Sequence, residues 1–391
     1  MKKPGVFIQS LKKFKMKNFI PVNEPLFLGN EKKYLLECID SGWVSSDGPF
    51  VELFEKKFAL KHNRKYGIAV CNGTAAIDAA VASIGIKKGD EVILPTFTII
   101  SCVLQIIRMG AIPVFVDADP LTWNIDITQI EEKITSRTKA IMIVHIYGLP
   151  VDLDPVIKIC KKYKIKLIED AAEVIGQTYK KRKCGSFGDI STVSFYPNKH
   201  ITTGEGGMIL TDNKELANKC RYLRNLYFQK KRRFKHEHFG WNLRMSNIQA
   251  ALGLAQLEQL NKFIQKKRWI GNYYNNLLLT SKEDLQLPLS STNYSENIYW
   301  VYGVVLSEHC GFSANFIINK LNKLGIGCRP FFFPLHQQPV IKKLKIIKKD
   351  SFPVAEKISK LGFYLPSGLA LTDSQIDKVV YSLKKVIKKL N

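Results

Sequence analysis

Short β-branched runs alternate with amphipathic stretches of helical length between residues 65 and 212. The runs that predict strands are YGIAV, DEVILP, IPVFVDA, AIMIVHI and IKLIED. The stretches that predict helices are AAIDAAVASIG, DITQIEEKI and DLDPVIKICKKY. This alternation indicates an α/β fold in which a mainly parallel sheet is flanked by helices. Ligands of such folds bind where strands end and loops begin.

The pattern changes after about residue 284, where a second and smaller unit is predicted. A strand-like run, IYWVYGVVL, precedes a helix, ANFIINKLNKLG, an aromatic loop, RPFFFPLHQQP, and a final helix from Thr372. A long amphipathic segment over residues 245–278 links this unit to the first. We therefore predict a basic N-terminal extension at residues 1–18, a large domain at 19–265 and a small C-terminal α/β domain at 266–391.

The charge balance is strongly basic and raises the question of nucleic acid. Lysine and arginine number 59 against 34 aspartate and glutamate, a formal charge of +25. Such a charge attracts anions. No nucleic-acid module is recognisable, however, and the basic residues do not gather with aromatic residues into a binding surface. We therefore predict solvated basic faces and an anionic small substrate, with no nucleic acid partner.

Membrane, secretion and metal signals are weak in this sequence. The longest apolar run, VILPTFTIISCVLQII, contains a proline and several polar residues, which makes it a poor membrane span. The N-terminal stretch is basic and lacks the apolar core of a secretory signal. The eight cysteines form no C-x-x-C pair, so neither disulfides nor a zinc site is indicated. We expect a cytoplasmic protein without a membrane span and without a metal.

Lys199 follows an apolar run, ISTVSFYP, and therefore emerges where a predicted strand ends. The glycines at 204, 206 and 207 would let the backbone fold closely around a ligand. Asp170 ends another predicted strand earlier in the chain. A lysine and a carboxylate at one sheet edge suit pyridoxal phosphate (PLP), because the lysine can form a Schiff base with its aldehyde and the carboxylate can pair with its pyridine nitrogen.

A third segment is a candidate site for the PLP phosphate. In CNGTAAIDAA, the residues Asn72, Gly73 and Thr74 lie between a strand and a helix, so backbone N–H groups and a hydroxyl would face an anion. The same pattern is ordinary cap usage when it occurs alone. TTGEGG lacks the Gly-Lys-Ser/Thr ending of a nucleotide P-loop. No G-x-G-x-x-G follows the first strand, which argues against a dinucleotide-dependent dehydrogenase.

Four separated motifs carry a specific resemblance to a known family. NGTAA, IEDAAE, GSFGDISTVSFYPNKHITTGEGGMILT and GWNLRMSNIQAALGLAQL together resemble the DegT-type, PLP-dependent nucleotide-sugar aminotransferases of fold type I. The resemblance runs from about Ile20 to the C-terminus. Two further segments, GNEKKYLLECIDSGWVSSDGPFVELFEKKFA and RPFFFPLHQQP, look most like the perosamine synthases of this family, which aminate C4 of a GDP-linked 4-keto-6-deoxymannose.

The resemblance implies roles for individual residues. Lys199 would be the Schiff-base lysine and Asp170 the partner of the pyridine nitrogen. The other implied cofactor contacts are Gly73, Thr74, Glu173, Ser194 and Asn242. The last of these matches a residue that reaches the cofactor phosphate of the neighbouring subunit, so a homodimer with shared active sites is implied. The implied substrate contacts are Ser45, Ser46, Arg244, Arg329 and His336.

Two positions depart from common family usage. Many members cover the cofactor ring with an aromatic residue where this chain has Ile99, so the residue that packs on the ring is left open. Glu173 stands where many relatives have glutamine or histidine, as it does in members that resemble perosamine synthases. Some relatives that dehydrate sugars have histidine in place of the lysine. This chain keeps Lys199, with His200 beside it, which favours transamination.

The implied reaction moves an amino group from L-glutamate to C4 of a nucleotide-linked 4-keto-6-deoxyhexose. The substrate that the resemblance implies is GDP-4-keto-6-deoxy-D-mannose, and the product is GDP-perosamine for lipopolysaccharide O-antigen biosynthesis. Lys199 would move the proton, and burial must lower its pKa for that work. An aminotransferase acting on a UDP- or dTDP-linked 4-keto or 3-keto hexose is one alternative. A PLP-binding regulator without turnover is another.

Overall fold

The computed structural model describes residues 19–229, 234–347 and 350–388. The α-helices in these ranges are α1 Glu31–Asp40, α2 Pro49–Lys61, α3 Gly73–Ser83, α4 Ser101–Arg108, α5 Leu153–Tyr163, α6 Lys214–Arg224, α7 Asn247–Glu258, α8 Leu260–Leu278, α9 Ala314–Lys323, α10 Pro339–Leu344, α11 Pro353–Leu361 and α12 Asp373–Lys388. The strands are β1 Tyr66–Val70, β2 Glu91–Pro95, β3 Ile112–Val116, β4 Thr138–Val144, β5 Lys166–Asp170, β6 Thr178–Tyr179, β7 Arg182–Lys183, β8 Ile190–Ser194, β9 Gly207–Thr211, β10 Leu285–Gln286, β11 Tyr302–Leu306, β12 Arg329–Pro330 and β13 Gly362–Leu365.

The large sheet has the strand order β1-β9-β8-β5-β4-β2-β3. Only β9 runs against its neighbours, and the other adjacent pairs are parallel, so the predicted mainly parallel sheet is confirmed. Because parallel strands end at the same edge, the carboxyl ends of β1, β5 and β8 lie at one edge of the sheet, with β9 between β1 and β8. The segments that follow Val70, Asp170 and Ser194 therefore converge on one edge of the sheet.

Two apolar layers cover opposite faces of this sheet. In β4, Met142 belongs to the layer that contains α3, α4 and the C-terminal part of the chain, and Ile143 to the layer that contains α2, α5 and α7. This alternation follows from the two-residue period of a strand. In β5 it places Ile168 in the first layer and Leu167 in the second, so the side chains of Glu169 and Asp170 leave the strand on opposite faces.

One predicted helix folds differently, and the long amphipathic segment is divided. DITQIEEKI forms two 3-10 turns, Ile127–Gln129 and Glu131–Lys133, and not an α-helix. Asp126 accepts hydrogen bonds from the backbone of Thr128 and the side chain of Gln129, which closes a single tight turn. The long amphipathic segment forms two helices, α7 and α8, which are separated at Gln259.

The C-terminal part of the chain forms a four-stranded antiparallel sheet in the order β10-β11-β13-β12. The domain boundary predicted at residue 265 lies inside α8, and Ile20 forms a parallel bridge with Ile326 of the C-terminal part. The division into domains therefore stays a prediction, and the extension at residues 1–18 lies outside the described residues. Among the helices of the described ranges, none has the length and apolar character that crossing a membrane requires.

Candidate active site

A cavity of about 510 Å³ lies at the carboxyl edge of the large sheet. It brings together six of the predicted cofactor contacts, which are Gly73, Thr74, Asp170, Glu173, Ser194 and Lys199. The C-terminal part of the chain contributes further lining residues that the sequence analysis did not identify, namely Trp300, Phe332 and Tyr364. Segments that lie far apart in sequence therefore form one site.

Lys199 reaches this cavity from a turn after β8, where its backbone N–H donates to the carbonyl of Tyr196 over 2.9 Å. Its side chain is only 10% exposed, and Nζ lies 3.9 Å from Oε1 of Glu173. The same nitrogen lies 3.7 Å from the centre of the Trp300 ring. Burial lowers the pKa of Lys199, while the carboxylates of Glu173 and Asp170 act in the opposite direction.

Glu173 is held by the backbone of a strained residue. Its Oε2 accepts a hydrogen bond of 2.8 Å from the N–H of Tyr147, which has a φ of 56°. Burial raises the pKa of Glu173 to about 8, although the ammonium of Lys199 works against this shift. Burial thus disfavours the charge on both members of the Glu173 and Lys199 pair, and a proton can be exchanged between them.

Asp170 ends β5 and presents two differently bonded oxygens. Oδ1 accepts from the N–H of Ala172 over 3.0 Å, and the Cys102 thiol donates to Oδ2 over 3.5 Å. Burial raises the pKa of Asp170, while the Ala172 hydrogen bond and the charge of Lys199 lower it. A cationic group placed against this carboxylate would favour its ionised form. Cys102 was missed by the sequence analysis, since nothing in a lone buried cysteine identifies its neighbour.

Glu169 anchors the same strand end from the opposite face of the sheet. Its two oxygens accept hydrogen bonds from the backbone of Gly185, Phe187 and Gly188 and from the hydroxyl of Ser191. His145 Nδ1 accepts from a backbone N–H, so His145 Nε2 is the donor to Glu169. Burial would raise the pKa of Glu169, but these hydrogen bonds and nearby positive charge bring it to about 2.

The start of α3 forms a cradle of backbone N–H groups and hydroxyls in the lining of the cavity. Asn72 caps the helix by accepting from the N–H of Ala75, and the hydroxyls of Thr74 and Ser101 are 2.8 Å apart. A Cβ at Gly73 would lie 2.7 Å from Cβ of Ser194, so only glycine permits this close approach. Backbone N–H groups and hydroxyls at a helix N-terminus suit a phosphate. The residues present therefore fit PLP, which carries a phosphate and needs both an amine and a carboxylate.

Several other predicted contacts lie outside the cavity lining. Asn242 is exposed and forms a bridge with Asn225. Ser46 and Arg244 line a second cavity of about 50 Å³, and Nη1 of Arg244 donates to Asn225 over 2.7 Å. Ser45 is exposed, and its carbonyl accepts from a backbone N–H of α7. Their predicted binding roles stay predictions.

Arg329 and His336 occupy different surroundings. Arg329 is exposed in β12 and is paired in register with Tyr364, which lines the cavity. The ring of His336 bonds through Nδ1 to Thr96 at 2.7 Å and through Nε2 to Glu356 at 3.1 Å. Both ring nitrogens are therefore engaged within the fold, and the predicted sugar contact of His336 stays a prediction.

Ile99 and His200 complete the predicted set. Ile99 lines the cavity and is 46% exposed, so it is available to a bound ring without being buried by its own chain. His200 is fully buried, and among the described residues neither ring nitrogen has a hydrogen-bond partner of good geometry, although the backbone of Ile298 lies nearby. Burial, with the nearby charges of Lys267 and Lys199, lowers the pKa of His200 to about 3, so it is a neutral packing residue beside the lysine.

Comparison with known proteins decides the class to which this site belongs. The model of the DegT/DnrJ/EryC1/StrS aminotransferase family matches residues 28–384. The chain belongs to this family. It is a PLP-dependent sugar aminotransferase, which confirms the predicted family, fold, enzyme class and cofactor. The roles of individual site residues stay predictions.

Individual relatives give the same result. A GDP-perosamine synthase from Caulobacter vibrioides is 41% identical over 94% of this chain and 98% of its own length, and one from Escherichia coli O157:H7 is 40% identical with the same coverage. The Helicobacter pylori aminotransferase PseC superposes with a TM-score of 0.90 at 25% identity, covering 95% of this chain and all of its own. A GDP-4-keto-6-deoxymannose-3-dehydratase with bound GDP-perosamine superposes with a TM-score of 0.85 at 26% identity, covering 92% of this chain and 100% of its own.

Proposed function

We propose that the enzyme transfers an amino group from L-glutamate to C4 of GDP-4-keto-6-deoxy-D-mannose and so makes GDP-perosamine for a surface glycan. The observation that carries this proposal is the 38 to 41% identity to three GDP-perosamine synthases across nearly their whole length. The cavity agrees with this proposal, because the amine of Lys199 lies in one lining with the carboxyl groups of Glu173 and Asp170 and with the start of α3.

PLP supplies an aldehyde and an electron-accepting ring when it is bound. We assign the phosphate to the N-terminus of α3, with Gly73, Thr74 and Ser194 around it. Asp170 would hold the proton on the pyridine nitrogen, since an ionised carboxylate stabilises a cation opposite it. Lys199 would hold the cofactor through Nζ, and its free amine would move a proton at the reacting carbon.

A lysine that moves protons must be neutral for part of the cycle. Burial lowers the pKa of Lys199 and makes its neutral form accessible. Glu173 lies close enough to hold a proton at Oε1 while the amine is neutral, because burial favours its protonated form as well. Trp300 and Phe332 line the cavity from the C-terminal part of the chain and add apolar surface to it.

We further propose a cytoplasmic homodimer with shared active sites. Asn242, Ser45 and Arg244 lie outside the cavity of their own chain, as expected of residues that serve a neighbouring copy. Mixing Lys199→Ala and Asn242→Ala subunits tests this directly. Each variant alone is expected to be inactive, while mixed dimers contain one site with both native residues and regain activity. Failure of the mixture to regain activity would refute the shared site.

Substrate identity is tested with purified enzyme, PLP and L-glutamate. The enzyme is offered GDP-, UDP- and dTDP-linked 4-keto-6-deoxy sugars, and a UDP-linked 3-keto sugar. We expect the amino sugar from the GDP-linked mannose derivative only. A faster reaction with a UDP- or dTDP-linked sugar would replace the proposed substrate but keep the enzyme class. Cofactor binding without product from any sugar would favour a regulator without turnover.

A further inference from the structure

Lys267 is a buried lysine that the proposed reaction does not use. It lies on α8, is 1% exposed, and donates to the carbonyl of Trp300 over 2.8 Å and to the carbonyl of Ser367 over 2.6 Å. Both partners are neutral, so among the described residues no carboxylate offsets the burial of the amine. Burial, together with repulsion from Lys199, lowers the pKa of Lys267 to about 7. Burying an amine without a charged partner costs free energy of folding, so the question is what its two hydrogen bonds hold in place.

Trp300 connects this lysine to the active site. Its backbone carbonyl is held by Lys267, and its indole Nε1 donates to the carbonyl of Asn198 over 2.7 Å. Asn198 immediately precedes Lys199, and the Lys199 amine lies 3.7 Å from the centre of the indole ring. An ammonium over a buried indole is held by a cation–π interaction. One tryptophan therefore contacts both the turn that carries Lys199 and the amine at the end of its side chain.

The turn is also tied to the first described segment of the chain. Asn23 donates to the carbonyl of Pro197 over 2.8 Å, and the backbone N–H of Ser367 donates to Val22 over 3.0 Å. Ser367 is the second acceptor of Lys267. Trp300 and Asn23 therefore both contact the turn that carries Lys199. Lys267 bonds the carbonyl of Trp300 directly, and it bonds the carbonyl of Ser367, whose N–H holds the residue before Asn23.

We propose that Lys267 is a positioning residue that acts through Trp300 to hold the turn and the amine of Lys199 in the geometry that the reaction needs. This inference rests on the proposed role of Lys199. It gives the buried amine a function that packing alone does not, because an apolar side chain of similar length would take this donor away from the carbonyls of Trp300 and Ser367.

The test uses the full-length enzyme with bound PLP and compares Lys267→Met, Trp300→Phe and the double variant. Lys267→Met keeps an unbranched side chain of similar length without the amine, and Trp300→Phe keeps an aromatic face but loses the hydrogen bond to Asn198. The control is Lys266→Met on the same helix, whose amine instead lies over the ring of Trp269. The measurements are kcat and KM for L-glutamate and the visible circular dichroism of the bound cofactor.

We expect each of the two test variants to lower kcat by roughly 10-fold with little change in KM, and to alter the dichroism of the cofactor. The double variant should lose no more than the worse single variant, because both changes break one chain of contacts. The inference would be refuted if the double variant lost kcat by the product of the two single losses. It would also be refuted if Lys267→Met left both kcat and the dichroism of the cofactor unchanged. If Lys267→Met does not fold, an unchanged Trp300→Phe enzyme refutes it instead. Failure of the proposed function is recognised separately, because the unaltered enzyme would then carry no PLP on Lys199. This is measured before any variant is compared.

Discussion

Nζ of Lys199 and Oε1 of Glu173 lie 3.9 Å apart, and the two side chains are only 10% and 5% exposed. Burial lowers the pKa of Lys199, and the negative charge of ionised Glu173 raises it. Glu173→Gln keeps an oxygen for the N–H of Tyr147 and removes only the charge. We expect the pH at which half of the maximal rate of PLP capture is reached to fall, because the neutral amine then forms at lower pH. The measurement is the rate of cofactor binding against pH.

A second carboxylate of the same lining provides the control for that experiment. Glu205 also lines the cavity, and Glu205→Gln removes one negative charge without changing the partner of Lys199. We expect its pH profile to match that of the unaltered enzyme. Equal shifts in both variants would mean that the cavity responds to total charge and that Glu173 has no special place beside the lysine.

Asp170→Asn tests the partner of the pyridine nitrogen. Asparagine still accepts from the N–H of Ala172 but can no longer stabilise a protonated ring nitrogen. We expect turnover to fall by on the order of 100-fold or more, while the covalent link between cofactor and Lys199 still forms. Steady-state kinetics and mass spectrometry of the reduced enzyme measure the two effects separately. Turnover close to that of the unaltered enzyme would remove Asp170 from the proposed mechanism.

The close approach of α3 to β8 can be tested by adding and then removing volume. Gly73→Ala places a methyl group 2.7 Å from Cβ of Ser194, so we expect much weaker binding of PLP and of inorganic phosphate. Ser194→Gly alone should weaken binding modestly, through loss of one hydroxyl. The double variant removes the clash, and its affinity is expected to match that of Ser194→Gly. A double variant as weak as Gly73→Ala would show that the clash is not the cause.

The lowered pKa of Glu169 predicts how the stability of the fold depends on pH. Its pKa is about 2 in the fold and ~4.3 in an unfolded chain, so its contribution is present above pH ~4.3 and is lost as the pH falls towards 2. The shift corresponds to about 3 kcal/mol. Glu169→Gln should lower the free energy of unfolding at neutral pH by a similar amount and reduce the loss of stability between pH 4 and 2. Denaturant unfolding at several pH values measures both, and an unchanged pH dependence would contradict the assignment.

The sheet and the centre of the site could be predicted because their signals are local. Strand ends are marked by the switch from an apolar run to polar residues, and this placed Asp170 and Lys199 at the same edge. The cradle followed from the glycine and cap residues at the start of a helix. These features depend on short segments, and parallel topology then determines how the segments meet.

The remaining lining required contacts that no local pattern contains. Trp300 and Tyr364 enter the cavity from the C-terminal part of the chain, and their segments read only as an aromatic strand and a short apolar run. His336 lies in RPFFFPLHQQP, for which the family resemblance implies a substrate contact, and only the structure shows that its ring bridges Thr96 and Glu356. The buried amine of Lys267 was invisible for the same reason, since a lysine in an amphipathic helix normally faces solvent.

The most direct test of the account locates the cofactor on the chain. The purified enzyme is incubated with PLP, reduced with borohydride, digested and analysed by mass spectrometry, and Lys199→Ala is treated in parallel. We predict that the reduced cofactor is attached to Lys199 in the unaltered enzyme, and that Lys199→Ala shows neither this adduct nor amino transfer. Attachment at another lysine, or amino transfer that persists in Lys199→Ala, would contradict the central claim.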